Sequence, residues 1–166
     1  MEHLSIDIET YSSIDIKKSG LYKYAESTDF EVLLFAYSVD FGDVDIVDLA
    51  SGEEIPQDIV AALNNPTIIK HAYNAPFECF CLNQAGYTTS IDQWQCTLFH
   101  GLYCGYTSGL GITGEALGIP QNKVKDKQGT TLIRYFCIPC KPSKSNGGRT
   151  RNLPQHAVEK WKYTKD

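Results

Sequence analysis

Two carboxylates stand two residues apart near the start of the chain, Asp7 and Glu9 in LSIDIETYSS (residues 4–13). The run reads as a strand. Strand side chains alternate between faces, so Leu4, Ile6 and Ile8 share one face while Ser5, Asp7 and Glu9 share the other. Like charges so placed repel unless solvent or cations lie between them. A half-exposed strand with a wet acidic face is the plain reading of the pair, and a cation site is the other. Glu78, in NAPFE (residues 74–78), bears on the choice. It falls in the first turn of an expected helix, where the dipole favours an anion, and on its own it merely complements the helix end. If the strand before that helix lies beside the first strand, Glu78 is carried toward Asp7 and Glu9. Three converging carboxylates without His or thiolate are hard oxygen ligands suited to Mg²⁺ or Mn²⁺. Two such ions about 4 Å apart clamp the attacking and leaving oxygens of a phosphodiester.

The remaining reactive residues offer less. Cys137 and Cys140 form C-x-x-C in RYFCIPCKP, a spacing shared by redox pairs and half-sites for zinc. A complementary half is missing, because Cys79 and Cys81 have the wrong spacing and the four histidines are scattered. Reduced, mostly buried thiols are therefore expected. The net charge is −5, yet residues 123–151 hold eight Lys and Arg (Lys123, Lys125, Lys127, Arg134, Lys141, Lys144, Arg149, Arg151) against one acid, Asp126. That segment is +7 and the remainder −12. A basic segment on an acidic protein suits a polyanion, although solvated charge runs look the same.

A chain of 166 residues with 42% hydrophobic and 21% charged residues fits one globular domain with a real core. No apolar run approaches the roughly 20 residues that span a bilayer, and the N-terminus has no basic region followed by an apolar stretch, so a cytoplasmic location is the default expectation. Strands are expected over residues 2–10, 31–40 and 43–50, with Phe41-Gly42 as the turn between the last two and one short helical turn within 11–30. The period then changes. A helix over 56–65, a strand over 67–72, a helix over 74–86 with Asn74 as N-cap, and a short strand in QWQCTL follow. Residues 96–118 read as helix broken near GYTSG, and GTTLIRYFCI as another. The stretch after 139 reads as loop and QHAVEKWKYTKD as a last helix. An antiparallel meander followed by helix, strand, helix, strand is an α/β plan with a mixed sheet, since strands reached by helical crossovers lie parallel to a neighbour.

SIDIET and KHAYNAPFE, some sixty residues apart across that meander, resemble the first two motifs of the DEDD 3′–5′ exonucleases. More closely, DIETYSS, GLYKYAES, FEVLLFAYSVD, KHAYNAPFE, KDKQGTTLIRYFCIPCKP and NGGRTRNLP, in this order, resemble the N-terminal proofreading domain of phage and prophage family A DNA polymerases. The resemblance covers essentially the whole chain. It implies a ribonuclease H-like mixed five-stranded sheet flanked by helices and one exonuclease domain over residues 1–166. It also implies two divalent ions, Mg²⁺ or Mn²⁺, and a single-stranded DNA or primer 3′ end as substrate. By position, Asp7 would bridge both metals, Glu9 would ligand the first and orient the attacking water, and Glu78 would supply the second motif's acid. Thr10 and Tyr11 would hold the terminal nucleotide by backbone amide and apolar contact, and Asn74 matches the Asn of the second motif. Phe77, by helical spacing, belongs to the core.

The family's third motif, a Tyr or His followed by an Asp, should come after NLPQHAVEKW. The candidate is Tyr163 with Asp166, spaced Y-x-x-D where the family has Y-x-x-x-D. The expectation is therefore of a domain incomplete at its C-terminus, with activity weak or absent in this chain. The alternative is a catalytically inactive nucleic-acid-binding remnant. A polymerase domain downstream and a dimer through an incomplete flank are the partners this reading suggests.

Overall fold

The computed structural model describes residues 1–107, 109–120 and 127–164. The described residues form a five-stranded sheet in the order β3-β2-β1-β4-β5. β1 (His3–Tyr11) runs antiparallel to β2 (Glu31–Val39), with Asp7 opposite Ala36 and Glu9 opposite Leu34. β3 (Val44–Val47) continues the meander on the far side of β2. β4 (Ile69–Ala72) and β5 (Trp94–Cys96) are parallel additions on the other side of β1. The mixed sheet expected from the sequence is the sheet observed, and β1 lies at its centre.

The alternation in β1 sorts two layers. Leu4, Ile6 and Ile8 are buried in the larger core with Ile59, Ala62 and Leu63 of α2 (Gln57–Asn64) and Cys81 and Leu82 of α3 (Ala75–Gln84). On the opposite face a smaller core joins Tyr11, Leu33 and Leu34 to Phe136 of α6 (Lys127–Phe136) and Trp161 of α7 (Val158–Lys162). Each face of the sheet thus has its own apolar cover. β4 is fixed by an unusual core residue. Lys70 is fully buried, and its Nζ donates to the Asn65 carbonyl at 2.7 Å and to Gln93 Oε1 at 2.9 Å. Burial holds its pKa below that of an ordinary lysine.

Several local expectations shift. Residues 11–30 hold more helix than one turn. α1 (Ile16–Ala25) is capped by the Asp15 side chain, which accepts from the Lys17 N–H, and is kinked at Gly20, whose φ of 78° lies in the region glycine favours. The β2–β3 turn is centred on Asp40 and Phe41, both left-handed (φ 48° and 61°), one residue earlier than Phe41-Gly42. The cause is long-range. The Asp40 carboxylate accepts the Glu2 and His3 N–H groups at 2.7 and 2.8 Å, and the Phe41 ring lies 4.9 Å from that of His3. β3 ends at Val47 because Asp48 turns inward and starts a 3₁₀ turn over Leu49–Ser51. The helical stretch after β5 is α4 (Thr97–Tyr103) and α5 (Leu110–Ala116), divided near GYTSG as expected. No helix among the described residues is long and apolar enough to cross a membrane.

α7 is held against the sheet by buried Trp161. Trp161 Nε1 donates to Asp48 Oδ2 at 2.7 Å, and its ring meets Phe136 edge-on at 4.8 Å. Trp161→Phe keeps most of the ring but takes a donor from a buried carboxylate, and is expected to cost about 1–3 kcal/mol. Phe136→Ala, which opens a cavity in the smaller core, is expected to cost about 3–5 kcal/mol. Urea unfolding followed by tryptophan fluorescence for Phe136→Ala, and by circular dichroism for both variants, checks the order.

Candidate active site

The acidic face of β1 looks toward the layer built by α6 and α7, because Tyr11, two and four residues beyond Glu9 and Asp7, is buried in that layer's core. Asp7 is exposed and Glu9 partly covered. Glu78 arrives by the predicted route. β4 pairs parallel with β1, the chain turns at Tyr73-Asn74, and α3 begins with Ala75 and Pro76, placing Glu78 in its first turn. Asn74 occupies the N-cap, but its side chain makes no capping hydrogen bond and stays exposed.

Glu78 is an anomaly among the described carboxylates. It is 4% exposed, and its Oε2 is shut away from solvent without a hydrogen-bond partner. Burial pushes its pKa up to about 8, with the negative charge of Asp7 adding to the rise. A buried acceptor without a donor is costly. Asp7 and Glu78 therefore lie within electrostatic reach of each other.

Glu9 is differently engaged. Its Oε2 accepts from the Cys137 thiol at 3.7 Å, across 128 positions of sequence. Burial, followed by the Glu9 charge, pushes the Cys137 thiol well above its ordinary pKa, so it is a neutral donor at this site. The expected convergence is thus partial: Asp7 is coupled to Glu78, and Glu9 to Cys137. Among the described residues no three His, Cys, Asp or Glu side chains are grouped closely enough to hold a metal ion.

The other sequence-derived residues are placed as follows. Between Glu9 and Thr10 the pairing with β2 slips by one residue, since Glu9 faces Leu34 and Thr10 faces Val32, and a slip of this kind re-aims the side chains around it. The Thr10 hydroxyl is 2.7 Å from Tyr24 Oη, whose pKa burial pushes up to about 12. Tyr11 is buried, with the Arg151 guanidinium 3.9 Å above its ring centroid. Phe77 packs against the core and lies 6.3 Å from the Tyr24 ring, as its spacing implied. Tyr163 is exposed just after α7, and Asp166 lies outside the described residues, as do Lys123, Lys125 and Asp126 of the basic segment. All six cysteines are free thiols; Cys137 is turned to Glu9 and Cys140 to the Arg149 carbonyl at 3.4 Å. Cys137 and Arg151 are the neighbours that sequence reasoning missed. The basic run marked Arg151 as a cation but carried no sign of what it touches.

The chain is 47% identical over 166 residues to a DNA polymerase of Bacillus phage SP02, a match covering 99% of this chain and 25% of that one. The chain is a homologue of a phage DNA polymerase. It spans about a quarter of that relative's length. No protein-family model matches it. Among solved structures, NrnC of Brucella melitensis superposes with a TM-score of 0.55 at 20% identity, over 77% of this chain and 56% of that one. A structure of NrnC with bound Mg²⁺ superposes with a TM-score of 0.53 at 20% identity, over 79% of this chain and 64% of that one. At such identity the likeness establishes the fold, which is the ribonuclease H-like mixed sheet shared with these proteins.

The raised pKa of Glu78 makes stability pH-dependent. The folded state keeps a proton up to about pH 8 that an ordinary glutamate loses near 4.5. The contribution of this group is therefore most favourable below 4.5, declines as pH rises toward 8, and is level above that. The decline has a ceiling of about 1.4 kcal/mol per pH unit. Glu78→Gln is expected to match the wild type at pH 4 and to be progressively more stable than it up to pH 8, measured by urea midpoints across that range.

Proposed function

We propose that this chain is the 3′–5′ exonuclease domain of a phage-type DNA polymerase, acting on single-stranded DNA 3′ ends with divalent metal ions. The observation that carries the reading is Glu78, a carboxyl group buried at a helix start with an orphaned oxygen and with the charge of Asp7 bearing on it. A cation between the two would satisfy that oxygen and relieve the repulsion. The donors are hard oxygens and Asp7 is exposed, so the residues fit Mg²⁺ or Mn²⁺. The same Asp-x-Glu strand followed by the NAPFE helix is the pattern of the DEDD exonucleases, and the phage homology agrees with it.

Asp7 and Glu78 would hold the ions, with Glu9 completing the set and orienting the attacking water. Bound ions would supply Lewis acidity toward the phosphodiester and a more acidic water. The chain's own part is to keep Asp7 and Glu9 on one face of β1 and to yield the Glu78 proton. Cys137 holds Glu9 in one orientation through its thiol. Thr10 and Tyr11 continue the same strand and would border the terminal nucleotide, and Asn74 is exposed at the start of α3. Turnover is expected to be slow at neutral pH, because Glu78 is protonated there and Glu9 is engaged with Cys137.

The remainder of a polymerase is the proposed covalent partner, in the cytoplasm of a bacterial or phage-infected cell. Exposed Phe99, Leu102, Ile112 and Leu117 on α4 and beyond mark the flank that the polymerase portion, or a second copy, would cover. A second reading, a nucleic-acid-binding remnant without catalysis, is favoured by the absence of a three-ligand group among the described residues.

A 3′-labelled single-stranded oligonucleotide incubated with the protein and Mn²⁺ separates the two. The first reading expects slow stepwise release of mononucleotides, lowered on the order of a hundredfold by Asp7→Ala. Equal activity in both proteins contradicts it. Salt-sensitive binding with no cleavage favours the second.

A further inference from the structure

The basic loop after α6 is built too firmly to be a solvated tail. Between Cys137 and Glu159 it carries Lys141, Lys144, Arg149 and Arg151 and no acid. Asn146 organises its tip: its Oδ1 accepts the Ser143 N–H at 2.9 Å and the Gly148 N–H at 3.1 Å, and its Nδ2 donates to the Lys141 carbonyl at 2.9 Å. Cys140 N–H closes the base of the loop on the Thr150 carbonyl at 2.8 Å. Buried Asn152 anchors the returning limb, donating to the Tyr135 carbonyl at 3.0 Å and accepting from Arg149 Nε at 3.0 Å.

This framework delivers one cation to the end of β1. The Arg151 guanidinium lies 3.9 Å over the Tyr11 ring, and its Nη2 donates to Glu31 at 2.5 Å, the residue paired with Tyr11 across the sheet. Stacking on Tyr11 and pairing with Glu31 orient the planar fork. Arg151 Nε is buried and has no acceptor. The Arg151 charge is felt at the Cys137 thiol, which itself bonds Glu9. Tyr11 is two residues past Glu9 on the same face, about 7 Å along the strand. A held, partly exposed cation one short step from an acidic cation site matches a polyanion whose successive phosphates meet first metal and then protein.

We propose that Arg151 is a substrate-binding residue that grips the phosphate next to the scissile one in a bound single strand. The proposal rests on the exonuclease reading above and deepens it. The plain alternative is that Arg151 only pins the loop to the sheet through Tyr11 and Glu31.

The test pairs a protein change with a change in the DNA. Fluorescence anisotropy measures binding of a single-stranded oligonucleotide with Ca²⁺ in place of the activating metal. Native DNA is compared with DNA carrying one neutral methylphosphonate at the linkage beside the 3′-terminal one. The neutral linkage is expected to weaken wild-type binding about tenfold, and Arg151→Ala to weaken native binding by a similar factor. In Arg151→Ala the neutral linkage should then cost nothing further, and the salt slope should fall by about 0.7. Arg151→Lys, which keeps the charge and part of the packing, is expected to restore part of the methylphosphonate penalty. If folded Arg151→Ala still shows the full methylphosphonate penalty, Arg151 is structural and the proposal is overturned. If wild type binds native DNA but is indifferent to the neutral linkage wherever it is placed, the proposal is overturned while the exonuclease reading stands. Failure of wild type to bind single-stranded DNA even at low salt removes both.

Discussion

β1 meets two opposing demands along nine residues. It is hydrogen-bonded on both edges, antiparallel to β2 and parallel to β4, so its position fixes the meander on one side and the crossover elements on the other. Leu4, Ile6 and Ile8 tie one face into the larger core. The opposite face must carry Asp7 and Glu9 near each other and then close over Tyr11. A strand interior is a poor place for two carboxylates. The α6–α7 layer covers only the Tyr11 end of that face, leaving Asp7 exposed and Glu9 partly covered. The cost of the acidic face is thereby limited to what solvent, a thiol or a cation can offset.

The charges around this face are graded. Glu78 is forced neutral by burial and by Asp7. Glu9 is held by a thiol that burial, and after it the Glu9 charge, keep protonated. Arg151, stacked on Tyr11 and paired with Glu31, lies at the end of the same strand. Negative charge toward the middle of β1 and positive charge at its C-terminal end suit a ligand that brings its own cations and its own phosphates. The same arrangement is uncomfortable without one, and Glu78 Oε2 is where the discomfort is concentrated.

Much of this was legible because it is written in short-range signals. Alternation in LSIDIETYSS fixed the faces of β1, Pro56 and Pro76 marked helix starts, and the switch of period after residue 50 announced the crossovers. The misplaced details were set by distant partners. Asp40 enters the left-handed region while holding the N–H groups of Glu2 and His3, and Asp48 ends β3 while meeting Trp161. At the site, Asp7, Glu9 and Glu78 could be picked out by type and spacing, and the approach of Glu78 toward Asp7 followed from β4 lying beside β1, while Glu9 turned to Cys137 instead. Cys137 at Glu9 and Arg151 on Tyr11 join residues more than a hundred positions apart. No local pattern encodes such meetings. Only the packing of α6 and of the loop organised by Asn146 creates them.

The central claim is that Glu78 gives up a proton so that it and Asp7 can hold a divalent ion. Calorimetric titration with Mn²⁺ at pH 7, repeated in two buffers with different heats of ionisation, measures this directly. The account predicts release of about one proton per chain on binding, fading as the starting pH passes 8 and absent in Glu78→Gln. Mn²⁺ binding with no proton release, or no Mn²⁺ binding by the wild type at any pH up to 9, would contradict it.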